Sequence, residues 1–327
     1  MNRSVRWALV ALGAWLPTSA AAQAPVYLTQ WEAGGNNETQ FYYPTGVATD
    51  AAGNVFVMVT YENAILKFSG SGAFITRWDL GGDSNLTGIG TDPAGNVYVT
   101  VHYYDPDEQT YSPAVVKYSG SGALITSWGS GGSGNGQFSN PQGVATDAFG
   151  NVYVADVGNG RIQKFTGAGA YISQWGTSGS GNGQFGRGND IAIDAAGNVY
   201  VTDDALNRVQ KFTDTGTYLG QWGSPGTGNG QFDQPFGIAA DAAGDVYVAD
   251  YRNDRVQKFT SSGDYITQWG SSGSGNGQFH SPLGVATDAA GNIFVADALN
   301  HRIQKFGPAS TPARSASWGR LKTLYRP

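Results

Sequence analysis

A six-bladed β-propeller, all-β and built from four-stranded antiparallel blades, is the fold this sequence predicts. Three sets of anchors carry the prediction. Tryptophans recur at Trp31, Trp78, Trp128, Trp175, Trp222 and Trp269, spaced 47, 50, 47, 47 and 47 residues. Asp50, Asp92, Asp147, Asp194, Asp241 and Asp288 each open a turn of the form D-x-x-G-N or D-x-x-G-D. The aromatic residue closing a K-[FY] pair recurs at Phe68, Tyr118, Phe165, Phe212, Phe259 and Phe306. A period of about 40–50 residues with four strands per unit is the mark of a propeller. Composition agrees. Glycine supplies 49 of 327 residues, roughly twice its ordinary share. Aromatics reach 13%, too many for a disordered chain, so the glycines belong to the turns of a folded all-β protein.

Within a unit, each strand follows from its pattern. In the third, GVATD (143–147) is the inner strand, Ala148-Phe149-Gly150 the turn, and NVYVAD (151–156) the second strand. RIQKF (161–165) and YISQW (171–175) follow as third and fourth. Val152 and Val154 face one way and Tyr153 and Ala155 the other. A strand apolar on both faces is covered on both sides. The fourth strand alternates instead, Ile172 and Gln174 opposing Tyr171, Ser173 and Trp175, as expected where a blade meets water. The chain opens with VYLTQW (26–31), which matches the fourth-strand sequence YITQW (265–269) and precedes any first strand. The last unit, ending at Phe306, has no adjacent fourth strand. The N-terminal strand is therefore expected to complete the last blade and leave no open edge.

Both ends differ from the repeats. Residues 1–6 carry Arg3 and Arg6, residues 7–16 are the uncharged run WALVALGAWL, and TSAAAQA follows Pro17. This order predicts a secretory signal peptide over 1–22, cleaved after Ala22. Ten apolar residues fall short of the roughly 20 that span a bilayer. The expected location is secreted, periplasmic or at the cell surface. Residues 307–327 carry Arg314, Arg320, Lys322 and Arg326 and no acid. They read as a proline-led linker and a basic tail that a sorting or anchoring partner could recognise. Between them, the propeller (23–306) sets 13 Lys and Arg against all 25 Asp and Glu, a net charge of −12. That balance argues against nucleic acid as a partner.

The string N-G-Q-F-x-x-P-x-G-V-A-x-D-x-x-G-N-V-Y-V-A-D-x-x-N-x-R-I-Q-K-F, nearly complete over 135–165 and again over 276–306, resembles the NHL repeat. The resemblance spans about 26–306 and implies a six-bladed propeller. Similar domains include amidating lyases, streptogramin-type lyases, sensor domains of bacterial receptor kinases and RNA-binding domains of tripartite-motif ubiquitin ligases. Fold alone does not choose among such functions.

The residues narrow the chemistry. There is no cysteine and there are three histidines. The resemblance to amidating lyases implies a histidine in the P-x-G step before the first strand. The x positions hold Thr45, Thr87, Gln142, Asn189, Phe236 and Leu283. His102, His280 and His301 fall in different units and slots, so a histidine zinc site, with its three protein ligands, is not expected, nor is any cofactor. No G-x-S-x-G elbow, H-E-x-x-H helix or phosphate loop is present. Asp156, Asp203, Asp250 and Asp297 are each followed five residues later by Arg161, Arg208, Arg255 and Arg302. Such a repeated pair reads as a device that fixes the turn between second and third strands, with Thr60 and Thr100 replacing the aspartate in blades one and two.

Two departures stand out. Blade four reads R-G-N-D, with Asp190 where the other blades have glycine, a carboxylate able to bind a cation or act as a base. Blade two carries an insertion, H-Y-Y-D-P-D-E-Q-T-Y-S-P (102–113), and a linker five residues shorter than blade three's. Read as an open loop, the insertion offers Tyr103, Tyr104 and Tyr111 as contact area. The ring of six x positions is polar over blades one to four and apolar over five and six. These features predict a ligand-binding mouth for a protein or glycan, in a binding or scaffold module without catalysis. The competing reading is a lyase or hydrolase working at the same mouth.

Overall fold

The computed structural model describes residues 23–32, 41–81, 84–105 and 110–308. Residues 1–22, where a signal peptide is expected, the apex of the blade-two insertion and the basic tail from residue 309 lie outside the described residues. Six four-stranded antiparallel sheets follow one another around a ring. Blade three is typical: Pro141–Thr146 lies innermost, then Val152–Asp156, Arg161–Phe165 and Tyr171–Trp175. The sixth blade takes Pro282–Thr287, Ile293–Asp297 and Arg302–Gly307 from the C-terminal end of the ring and Val26–Glu32 from the start of the chain. The N-terminal strand pairs antiparallel with Arg302–Gly307 from Val26 opposite Gly307 to Glu32 opposite Arg302.

Every residue of the second strand is buried in blade three, and likewise in blades one, four, five and six. Each face of that strand serves a different interface. Val152 and Val154 pack with Tyr98 and Val115 of blade two, whereas Tyr153 and Ala155 pack with Val199 and Val201 of blade four. Six such clusters join neighbouring blades in a closed circle.

The inner hairpins are closed by their aspartates. Asp147 Oδ1 accepts the N–H groups of Phe149 and Asn151, both at 2.9 Å, and Oδ2 accepts from Asn151 Nδ2 and Tyr153 Oη. Gly150 supplies the left-handed turn at φ 78°. Outer strands are held by tryptophan: Trp128 lies against Gly169 of the next blade, where a Cβ would meet the indole at 2.7 Å. Third-strand lysines reach across interfaces as well. Lys67, Lys117, Lys211 and Lys305 donate to carbonyls in the outer turn of the next blade at 2.7–3.1 Å, and Lys164 does so at 3.3 Å. Lys258 faces blade six, whose outer strand comes from the other end of the chain and so brings no such turn. It pairs with Asp245 at 2.7 Å instead, and blade five alone has aspartate at that hairpin position.

The Asp–Arg pairs form a larger node. Asp156 accepts Arg161 Nε at 2.8 Å, and Arg161 also donates to the carbonyls of Ser133, Gly134 and Gln137. Gln163 joins by donating to Gln137 O and accepting from Gly136 N. The node therefore clamps the glycine-rich linker over the blade. The register corrects the sequence reading of blades one and two. Val59 and Val101 stand opposite Ala64 and Ala114 where the other blades set Asp opposite Arg. Thr60 and Thr100 are not the substitutes. Leu66 and Val116 replace the glutamine, so the whole polar trio becomes apolar.

Candidate functional site

Strand direction divides the ring into two faces. Linkers and the turns between second and third strands lie on one, and the inner hairpin turns lie on the other. The linker-face mouth is narrow because Gly46, Gly88, Gly143, Gly237 and Gly284 bring the inner strands together. A Cβ on Gly88 would fall on the Gln142 carbonyl, and one on Gly237 on the Leu283 carbonyl. The cavity that remains is about 60 Å³.

Asp190 occupies the sixth position of this glycine ring and lines the cavity. Its Oδ1 accepts Ile191 N–H at 2.9 Å and its Oδ2 accepts Ile238 N–H of blade five at 3.1 Å. Only a glycine at position 143 leaves room beside Oδ1. Burial pushes the carboxyl up to about 6, against the two N–H bonds, which act in the opposite direction.

The six x positions share the mouth but not one role. Thr45, Thr87, Asn189, Phe236 and Leu283 line the cavity with Asp190, whereas Gln142 does not. Gln142 donates to Asn140 Oδ1 at 2.9 Å, outside the channel. Thr45 and Thr60 hydroxyls lie 2.6 Å apart. Thr87 donates to Pro141 O of blade three at 2.8 Å, so its hydroxyl ties two blades together. Asn189 is buried and donates to Asp204 Oδ2 at 3.3 Å.

Sequence reasoning missed Arg187 and Asp204. Asp204 is 1% exposed, and Arg187 grips it with Nε to Oδ1 at 2.6 Å and Nη2 to Oδ2 at 2.5 Å. The signal was present: R-G-N-D breaks the repeat before the inner strand of blade four, and Asp203-Asp204 breaks it after the second. Also missed was an aromatic group on blades five and one. Phe236 and Tyr251 rings lie 5.2 Å apart, as do Tyr43 and Tyr61. Burial raises the Tyr43 hydroxyl, and the nearby phenols of Tyr251 and Tyr61 add to the shift. Tyr61 is 77% exposed. One half of the mouth is thus polar and charged, and the other half aromatic.

The blade-two insertion is not an open loop. The inner strand lengthens to Ser84–Thr91, and the second and third strands run on as Val97–Asp105 and Thr110–Tyr118. Tyr103 pairs in register with Ser84, and Tyr104 with Tyr111. Tyr103 packs on the cluster between blades one and two and shares a hydrogen bond with the Tyr118 hydroxyl. In blade three the linker residue Phe138 packs on Phe165, the residue equivalent to Tyr118. The short linker of blade two brings no such aromatic, and Tyr103 fills that place from the hairpin. Tyr104 lies on the opposite face of the strand, and the side chain of Tyr111 lies outside the described residues.

The histidines serve the scaffold or stand apart. His301 Nδ1 accepts Tyr43 N–H at 3.0 Å across the seam between blades six and one, and burial lowers His102. Among the described residues, no group of three or more His, Cys, Asp or Glu side chains is placed to hold a metal ion. The opposite mouth is a basin of about 280 Å³ bordered by Asp92, Asp147 and Asp194, whose oxygens are taken up by the hairpin bonds. Beside it Phe149 is 92% exposed, where the other blades carry alanine.

The NHL repeat family matches residues 138–165, 232–259 and 279–306. No curated protein matches the chain in sequence. Among solved structures, a streptogramin B lyase aligns with 85% of this chain and 97% of its own at 16% identity and a TM-score of 0.60. A catalytically inactive virginiamycin B lyase from Staphylococcus aureus, with quinupristin, aligns with 86% of this chain and 89% of its own at 15% identity and 0.57. An auxiliary nutrient binding protein from Bacteroides thetaiotaomicron aligns with 82% of this chain and 69% of its own, at 15% identity and 0.61. At such identities the likeness is one of fold. Among the described residues, no helix is long and apolar enough to cross a membrane.

Proposed function

Because the chain carries NHL repeats on a six-bladed propeller, we propose that it is an extracytoplasmic binding module that holds a protein or glycan at its linker-face mouth. The observation that carries this reading is where the repeats stop being copies. Identical blades give rings of identical residues, whereas recognition needs different groups converging on one place. Here Arg187, Asn189, Asp190 and Asp204 stand on blade four, and Phe236, Tyr251, Tyr43 and Tyr61 on blades five and one of the same face. Aromatic walls with a few fixed polar groups suit binding, the rings giving area at low entropic cost. A signal peptide over 1–22 and a net charge of −12 on the propeller support an extracytoplasmic, non-nucleic-acid partner. The basic tail is assigned to sorting or anchoring.

The test compares the two faces. Tyr61→Ala with Phe236→Ala on the linker face, and Phe149→Ala on the turn face, are used as immobilised baits for the native extracytoplasmic fraction. The linker-face variant is expected to lose a partner that wild type and the turn-face variant both retain. Loss by the turn-face variant alone would contradict the proposal.

A further inference from the structure

The linker-face cavity is too small for a ring-shaped ligand. Ordinary ligand pockets run to roughly 300 Å³ or more, and this one has about 60 Å³, room for a few atoms in line. Its lining is unusual in one respect: Asp190 is the sole ionisable side chain, and Met58, Ile89, Val47, Val285 and Leu283 supply apolar wall. Each Asp190 oxygen accepts one backbone N–H, and a carboxylate oxygen has two lone-pair sites, so each keeps one acceptor site. The five other blades carry glycine at this point, so the carboxylate is not a requirement of the fold.

Resting on the reading of this mouth as the binding face, we propose that the cavity takes the ammonium group of a lysine side chain presented by a basic protein partner, with Asp190 as its counter-ion. Lysine fits on three grounds. Its charge is compact and carried on a slim four-carbon stem, whereas the arginine head is a broad planar fork. The methylenes would meet the apolar wall while the charge reaches the carboxylate. Phe236 lines the cavity with the Tyr251 ring 5.2 Å from its own, aromatic surface of the kind that attracts a cation. The net charge of −12 on the propeller steers a basic partner toward it. Pairing with an ammonium also offsets the burial that raises the Asp190 carboxyl.

The test titrates pentalysine into the ¹⁵N-labelled protein and follows the amides of Ile191 and Ile238, the two groups bonded to Asp190. Saturable shifts of both are expected, with affinity falling at least tenfold in Asp190→Asn, as for loss of a charge-assisted hydrogen bond. Asp190→Gly, which restores the residue of the other five blades, gives the same reading if the asparagine variant folds poorly. Equal affinity in wild type and variants would overturn the proposal, because attraction would then come from the acidic surface at large. Shifts of the same amides by calcium chloride and not by pentalysine would overturn it in favour of a metal ion. Silence with both would also overturn it. The binding face itself is decided separately by the Tyr61 and Phe236 variants, which leave Asp190 in place.

Discussion

The Asp–Arg–Gln node shows at single-residue scale how the repeat trades polar for apolar solutions. Asp156 is fully buried and held by Arg161 and Gln163, and Val59, Ala64 and Leu66 fill the same three places in blade one. Removing one partner of a buried pair costs about 3–5 kcal/mol, while replacing the set with apolar residues costs far less. Arg161→Ala is therefore expected to destabilise the protein by that amount in denaturant unfolding. The triple change Asp156→Val, Arg161→Ala and Gln163→Leu should cost less than the single one. Asp190 gives a second prediction. Its carboxyl rises from 3.8 to about 6 on folding. A value raised in the folded state means stability present below pH 4 and lost as pH climbs through 6. The advantage of Asp190→Asn over wild type should accordingly be about 2 kcal/mol greater at pH 7.5 than at pH 4, read from unfolding curves at the two pH values. The Asp–Arg pairing was legible in the sequence because its five-residue spacing recurs four times. Its apolar counterpart was misplaced by one residue, since Thr60 and Thr100 look like polar substitutes until the ladder register shows Val59 and Val101 in those places.

At the scale of the element, the blade-two hairpin separates packing from recognition. Insertion and short linker compensate each other: Tyr103 rests against Tyr118, where blade three has Phe138 against Phe165. Tyr103→Ala is expected to lower stability by about 2–4 kcal/mol through the cavity it leaves. Tyr103→Phe should lower it by about 1 kcal/mol through the lost hydrogen bond. Neither change should alter partner binding once folded protein is compared with folded protein. Both are checked by melting curves beside the retention assay. Counting residues located this insertion but could not show whether its polar, proline-bearing sequence would pair. The pairing partner, Ser84–Thr91, is extended by residues that look like linker. Likewise, the strands of every regular blade were legible from alternation and turn residues. The aromatic group of Tyr43, Tyr61, Phe236 and Tyr251 was not, because its members lie about 200 residues apart and meet only when blade six closes between five and one.

For the whole molecule, closure is what makes that meeting possible. The strand Val26–Glu32 supplies the outer edge of blade six, and Gln30 accepts Arg302 Nη1 at 2.9 Å. Deleting residues 23–32 should expose a strand edge and lower the melting temperature markedly or bring aggregation; an unchanged melt would contradict this closure. Lys258 and Asp245 pair within blade five, where the lysines of the other blades cross to a neighbour, and Asp245→Asn should lower stability by about 1 kcal/mol or less, as for a partly exposed pair. A closed ring also gives the two faces different work. One carries the inner hairpins, whose carboxylates are spent on their own turns, and the other gathers Arg187, Asn189, Asp190 and the aromatic group of blades five and one. Hydrogen exchange of the protein with and without its retained partner tests this division most directly. The account predicts added protection at residues 187–190, 235–238 and 282–284 and none at 147–150. Protection confined to 147–150 and the other hairpin turns would place recognition on the opposite face and contradict it.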